Sequence, residues 1–311
     1  MQEKIHEIIN ESDKNKEGII VDYFTAVNEK LFKKYLAEDL AISFDRYEID
    51  YIEENTFQWF LKLICLDLFM NKITIVETNT FRHLNQLECL ILNENKINTI
   101  KLDSFRHLTS LTDLYLDSNK IESLHKDIFA GLNSLQKLSL ASNQIKKIEN
   151  LVFKNLSSLI YLNLNNNQIV TIESNTFKGL NNLNSLYLIG NRIKAIKTLA
   201  FYGLEKLNKL ALSQNQLEII EDNAFDASLG CLDNLNLKNN QLNLIRPNVF
   251  EKLTNLRNLD LSSNQIQSIS DFSFKGLRQG LLLNISLNRI DKNHLTLFEE
   301  NAREFKIFLI N

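Results

Sequence analysis

Proline occurs once in 311 residues, at Pro247, and glycine only eight times. Proline-rich linkers are thereby excluded, as are the close-set glycines of phosphate-cradling loops. G-x-G-x-x-G, Walker, G-x-S-x-G and H-E-x-x-H motifs are all missing, and no paired catalytic constellation shows through, so an enzyme is not expected and no cofactor or metal is implied. Three cysteines cannot build a disulfide framework. Charge is nearly balanced at −3 with no basic stretch, which leaves a nucleic-acid partner without electrostatic support. No uninterrupted apolar run reaches membrane-spanning length, so no membrane insertion by this chain is expected. The start, MQEKIHEIINESDKNKEG, is polar and lacks the apolar core of a secretory signal. The default expectation is an intracellular chain, or an extracellular one if it is a piece of a longer protein.

What is abundant is leucine and asparagine in a fixed rhythm. Asn71, Asn95, Asn119, Asn143, Asn167, Asn191, Asn215, Asn240, Asn264 and Asn288 recur every 24 residues, with one step of 25 before Asn240. Each closes a unit patterned like Leu159, Leu162, Leu164 and Asn167 (L-x-x-L-x-L-x-x-N). A period of that length predicts a solenoid in which each unit stacks on the next. The L-x-L pair predicts a short strand with Leu162 and Leu164 on the inner side and Tyr161 and Asn163 on the outer. Ile169, Ile172, Phe177 and Leu180 continue the core, which no unit can bury alone.

The asparagine has a task of its own. A chain turning inside a solenoid buries backbone N–H and C=O groups, and each unpaired group is costly. A carboxamide both donates and accepts, so a column of them satisfies turn groups within and between units. Asn167→Leu is expected to destabilise by a few kcal/mol. A second column, Phe81, Phe105, Phe129, Phe153, Phe177, Phe201, Phe225, Phe250, Phe274 and Phe298, lies ten residues after the first. It predicts an aromatic spine on the side opposite the strands.

These residues resemble the "typical" 24-residue class of leucine-rich repeats. The units starting at Leu87, Leu111, Leu135, Leu159 and Leu183 follow its consensus almost without exception. The resemblance covers roughly 39–311. It implies an α/β solenoid, a horseshoe with a parallel sheet on its concave face and loops or short helical turns on its convex face. It also implies non-catalytic binding of a protein ligand, as in receptor, adhesion and matrix proteins. Extracellular relatives carry cysteine-rich caps, which are absent here.

The expected organisation is an N-terminal helical segment over 1–38 and a repeat domain over 39–311. The latter comprises a degenerate cap repeat (39–62), ten repeats (63–303) and a partial terminal strand (304–311). Ile20, Phe24, Val27, Leu31 and Tyr35 carry the helical spacing. Ile307 and Leu309 are in phase for an eleventh strand. An apolar edge there makes self-association through 304–311 the alternative to protein recognition.

Binding residues should come from the exposed strand positions. The first outer column begins Cys65, Cys89, Asp113, Lys137 and Tyr161; the second begins Asp67, Ile91, Tyr115, Ser139 and Asn163; the third begins Phe69, Asn93, Asp117, Ala141 and Asn165. Aromatics concentrate mid-array, so the candidate partner-binding set is Asp113, Tyr115, Asp117, Lys137, Tyr161, Asn163, Tyr187 and Ile189. Tyrosine buries a large area at low entropic cost and keeps a polar tip, which suits a hot spot; it also simply suits a strand. Cys65 and Cys89 share one position in adjacent repeats, within disulfide reach by Cα spacing though with unfavourable Cβ geometry. The 25-residue step, at Gly230 and Cys231, should bulge on the outer side.

Overall fold

The structure is a computed structural model that describes residues 40–269, 273–290 and the backbone of 308–310. The expected helix over 1–38 lies outside the described residues, as do Phe298 and Ile307. By internal contacts the chain forms two compact units, Met1–Gln144 and Ile145–Asn311.

In the first unit, strands Ala41–Ser43, Cys65–Asp67, Cys89–Ile91, Asp113–Tyr115 and Lys137–Ser139 pair in parallel in chain order. Equivalent repeat positions face each other: Leu66 opposes Leu90, and Leu90 opposes Leu114. The degenerate repeat therefore supplies a genuine strand, with Ile42 opposite Leu66. In the second unit the order is Tyr161–Asn163, Ser185–Tyr187, Lys209–Ala211, Asn234–Asn236, Asn258–Asp260, Leu282–Asn284 and Phe308–Ile310. The 25-residue step leaves this register intact, since Leu210 opposes Leu235. Its extra residue is absorbed between buried Phe225 and Leu229, where Ala227–Leu229 form a 3-10 turn followed by Gly230. Leu309 lies opposite Leu283, the phase expected for an eleventh strand.

One expectation needs correcting. The expected solenoid with its parallel strands holds, but apart from that 3-10 turn the described residues contain no helix, so "α/β" overstates the helix and of the loops or short helical turns expected opposite the long strands only loops are found. That side is made of turns and two-residue strands, such as Thr171–Ile172, Ala195–Ile196 and Ile219–Ile220, which pair among themselves. Residues 173–184 separate Thr171–Ile172 from Ser185–Tyr187, and left-handed Asn175 (φ 60°) and Gly179 (φ 105°) interrupt them, so the successive turns there do not run on into a helix. None of the helices among the described residues is long and apolar enough to cross a membrane.

From Leu66 to Leu283 the leucines of L-x-L are fully buried. The phenylalanine spine stacks with its rings nearly parallel and offset: in the second unit, the ring centroids of Phe177 and Phe201 lie 5.9 Å apart at 1°, and those of Phe201 and Phe225 5.8 Å apart at 6°. Such offset-stacked contacts add to the area each ring buries. Glycine matters where the chain crosses close to a neighbour. A Cβ on Gly179, whose φ is +105°, would stand 2.7 Å from Lys154 Cα.

The ladder asparagines are bonded alike. Asn191 Nδ2 donates to Leu164 O at 2.9 Å and Leu188 O at 3.1 Å, while its Oδ1 accepts the Ile169 N–H at 3.1 Å. In the first unit Asn119 Nδ2 donates to Leu92 O and Leu116 O, and Oδ1 accepts the Ile97 N–H. The residue before every ladder asparagine is left-handed, from Met70 (φ 54°) and Glu94 (φ 53°) to Gly190 (φ 69°) and Leu287 (φ 56°). This turn swings the backbone so that the next carboxamide points inward.

Candidate functional site

The outer side of each long-strand sheet is where side chains are free of the core. Asp113, Tyr115, Asp117 and Lys137 lie in the first unit, and Tyr161, Asn163, Tyr187 and Ile189 in the second.

In the first unit Asp113 organises its neighbours. Its Oδ1 meets Lys137 Nζ at 2.9 Å and accepts the Tyr115 hydroxyl at 3.2 Å, while Oδ2 accepts the Thr112 hydroxyl at 2.8 Å. Burial pushes the Tyr115 phenol well above its ordinary range, and the Asp113 carboxylate adds to that shift. Tyr115 is thus a neutral donor, half-buried and held by its hydroxyl. Lys137 remains exposed, with its ammonium leaning over the sheet.

Asp117 is engaged differently. Its Oδ1 accepts the Ala141 N–H at 2.8 Å and the Ser139 hydroxyl, and its own N–H donates to Asn93 Oδ1 at 2.9 Å. A rule runs through both units. From Phe69 onward, except at Asn93 and Ser213, where neither position holds an Asx, the N–H of the third outer position is capped either by a second-position Asx of the same repeat or by a third-position Asx of the preceding repeat. Asp67, Asn163, Asn236, Asp260 and Asn284 act in the first way. Asn93, Asp117 and Asn165 act in the second. Asn93 and Asn165 were not singled out by sequence reasoning. The signal was there: an Asx at the third position when the next repeat has Tyr115, Ser139 or Tyr187 at its second.

In the second unit the rings of Tyr161 and Tyr187 lie 5.3 Å apart, tilted by 44°. They are diagonal neighbours, since Tyr161 opposes Ser185 and Asn163 opposes Tyr187. Ile189 sits beyond Tyr187 with its N–H capped by Asn165 Oδ1 at 2.7 Å. Asn163 uses its Oδ1 on the Asn165 N–H, leaving Nδ2 as its outward group.

Not all outer positions are exposed. Cys65, Ser139, Ala211, Ser213 and Ser262 are buried, because short side chains lie in the shadow of longer neighbours. Ser139 opposes Tyr115 and bonds Asp117, and Ala211 opposes Tyr187. At the start of the array, Asp67 is held above its ordinary range by burial, against the opposing pull of the Phe69 N–H. Arg46 stands 6.0 Å over the Phe69 ring. Cys65 and Cys89 are directly opposed free thiols, the first buried and the second partly exposed; Cys231 is exposed. Cys65, one thiol away, and burial together hold the Cys89 thiol far above the usual thiol range.

Two family models match. "Leucine rich repeat" matches residues 86–145 and 133–193, and "BspA type Leucine rich repeat region (6 copies)" matches 170–300. No curated protein matches the chain. Among solved structures, TLR13 in complex with ssRNA13 is similar at 20% identity and a TM-score of 0.59, over 87% of this chain and 54% of that one. A Leptospira interrogans leucine-rich-repeat protein is similar at 20% identity and a TM-score of 0.52, over 85% of this chain and 82% of that one. Drosophila Toll in its complex with Spatzle is similar at 20% identity and a TM-score of 0.55, over 85% of this chain and 41% of that one. The chain therefore spans about half the length of the TLR13 chain and less of the Toll complex chain. At such identities the likeness is one of fold.

Proposed function

Because this chain belongs to the leucine-rich-repeat family, a family that is generally a non-enzymatic recognition scaffold, we propose that it binds a protein ligand through the outer face of its long strands. The observation that carries this reading is the Tyr161–Tyr187 pair. Two large rings meet at 5.3 Å on a face the core does not use. Aromatic pairs of this kind, apolar in body and polar at the tip, are what protein interfaces concentrate at their centres. Asp113, Tyr115 and Lys137 form a second cluster of compatible chemistry: a fixed neutral donor beside a paired charge.

The Drosophila Toll structure has a protein partner, Spatzle, whereas the TLR13 structure has an RNA. Protein is favoured here because the cation in the first cluster is already matched by Asp113 and the whole chain is slightly acidic. RNA binding would call for unmatched Lys and Arg along the strands. The experiment is crosslinking capture with three proteins of matched melting temperature: wild type, Tyr115→Ala, and Tyr161→Ala/Tyr187→Ala. Loss of specific protein partners in the double variant supports the reading, and an identical partner list refutes it. A gel shift with single-stranded RNA that is abolished by 0.2 M salt and by the same variants would favour the nucleic-acid reading instead.

A further inference from the structure

The recognition reading leaves Cys65 and Cys89 unused, yet they are two thiols set directly opposite each other on adjacent strands. They occupy the first outer position of adjacent strands and oppose each other in register. Neighbouring strands run ~4.8 Å apart, inside the Cα range of about 4.4–6.8 Å that a disulfide tolerates. Because side chains at equivalent positions of parallel strands point to the same side, both sulfurs stand on the outer face. Both are free thiols. We propose that Cys65 and Cys89 form a dithiol modification site, which exchange with a small-molecule disulfide converts into an intramolecular disulfide across the two strands.

Unequal exposure sets the order of events. Cys89 is partly exposed and meets the reagent, whereas Cys65 is buried beside it. With oxidised glutathione as reagent, the Cys89 thiolate attacks one glutathione sulfur. A protein–glutathione mixed disulfide forms, the glutathione S–S bond breaks, and one glutathione leaves as thiolate. The Cys65 thiolate then attacks Cys89 Sγ, forming the Cys65–Cys89 bond and expelling the second glutathione. Two protein thiols are oxidised, one glutathione disulfide is reduced, and the two thiol protons pass to the released glutathiones. Cys65 is the resolving residue because nothing else of its kind adjoins Cys89. Exposed Cys231 belongs to the other unit and keeps whatever adduct it acquires.

Two features set the character of the site. Opposed residues of parallel strands hold their Cβ atoms near strand spacing, wider than the roughly 3.5–4.5 Å of a relaxed disulfide. Closing the bond therefore draws the strands together, and the product is readily reduced. The neighbouring Cys65 first, then burial and the Asp113 and Asp67 carboxylates, oppose formation of a Cys89 thiolate. The reaction is consequently slower than at Cys231 and accelerates with alkalinity.

The test uses the full chain carrying Cys231→Ser, treated with oxidised glutathione at pH 8.5 and read by intact mass. The expected product has lost two hydrogens, carries no glutathione and returns to the starting mass with dithiothreitol. Peptide mapping should join the segments containing Cys65 and Cys89. Adding Cys65→Ser should trap a stable glutathione adduct on Cys89, since the resolving thiol is gone. The proposal is overturned by a stable adduct on the chain that keeps both thiols. It is equally overturned by a disulfide-linked dimer, or by a pair still unreacted after incubation many times longer than full modification of Cys231 in the wild type requires.

Discussion

Replacing Asn191 by leucine isolates what one rung of the ladder contributes. The side chain makes three bonds: Nδ2 to Leu164 O and Leu188 O, and Oδ1 from the Ile169 N–H. They are not equally replaceable. Leu164 O also receives Asn167 Nδ2 at 3.2 Å, and Leu188 O also receives Asn215 Nδ2 at 2.9 Å, so each carbonyl keeps a partner after the substitution. The Ile169 N–H keeps none. Its desolvation without a bond costs about 1–3 kcal/mol, and the weakened carbonyls add some tenths each. Asn191→Leu should therefore destabilise by roughly 2–3 kcal/mol by urea unfolding. Hydrogen exchange gives the local reading, with protection lost at the Ile169 amide and retained at Ile193, whose N–H is held by Asn215. Asn191→Asp separates donor from acceptor. It restores an acceptor for Ile169 but turns a carboxylate on two carbonyls, which raises its folded-state pKa above the unfolded value. Its destabilisation should be full above the folded pKa and fade as pH falls toward the unfolded carboxylate range near 4. An Asn191→Leu protein within about 0.5 kcal/mol of wild type, with Ile169 still protected, would refute the ladder argument.

Three further outcomes follow from particular residues. Gly179→Ala and Gly203→Ala both place a Cβ at positive φ, but only the former meets backbone, 2.7 Å from Lys154 Cα, whereas nothing lies within 4 Å at Gly203. Thermal melting should show Gly179→Ala the more destabilising by at least about 1 kcal/mol, and equal effects would mean that φ alone governs both. Leu287 is left-handed at φ 56° and 79% exposed, so Leu287→Asn removes strain without losing packing and should stabilise by roughly 0.5–1 kcal/mol in urea titration. Asp67 is held above its ordinary pKa by burial, so its ionisation in the folded state is a cost that sets in as pH rises above about 4 and is complete above the folded pKa. Asp67→Asn keeps the acceptor for the Phe69 N–H, at 2.9 Å in the parent, and should raise stability at pH 7 with no gain at pH 3; a gain at both would remove titration as the cause.

Much of the fold was legible because stacking leaves few ways to place a repeat. Once Leu162 and Leu164 share a side, Tyr161 and Asn163 must share the other, and a period of 24 puts Leu186 opposite Leu162. The carboxamides and the Phe177–Phe201 stack follow from the same period. What did not show was geometry that no residue type marks. The left-handed position before each ladder asparagine holds Met70, Glu94, Gly190 and Leu287 alike, because the surrounding hydrogen bonds override intrinsic preference there. The side opposite the strands was expected to carry loops or short helical turns; it carries loops, because left-handed residues such as Asn175 and Gly179 break the chain between successive turns.

The candidate site was harder to read for a different reason. On the outer face a polar residue serves either the fold or a partner, and composition cannot separate the two. Hydrogen bonds can. Asp117 looked like a binding group, yet its Oδ1 caps the Ala141 N–H and takes the Ser139 hydroxyl, so a partner reaching that oxygen would compete with the strand beneath it. Asn163 is committed by its carbonyl oxygen to Asn165 and offers only Nδ2. Asp113 is already met by Lys137, Tyr115 and Thr112. Within the candidate set, the polar and aromatic groups with chemistry left to offer include the spare donors of Lys137 and the exposed faces of Tyr161 and Tyr187. The same argument separates the substitutions that bear on the proposed function. Removing Asp117 should lower stability first and any affinity only in consequence, whereas removing Tyr161 and Tyr187 should lower affinity with the fold intact.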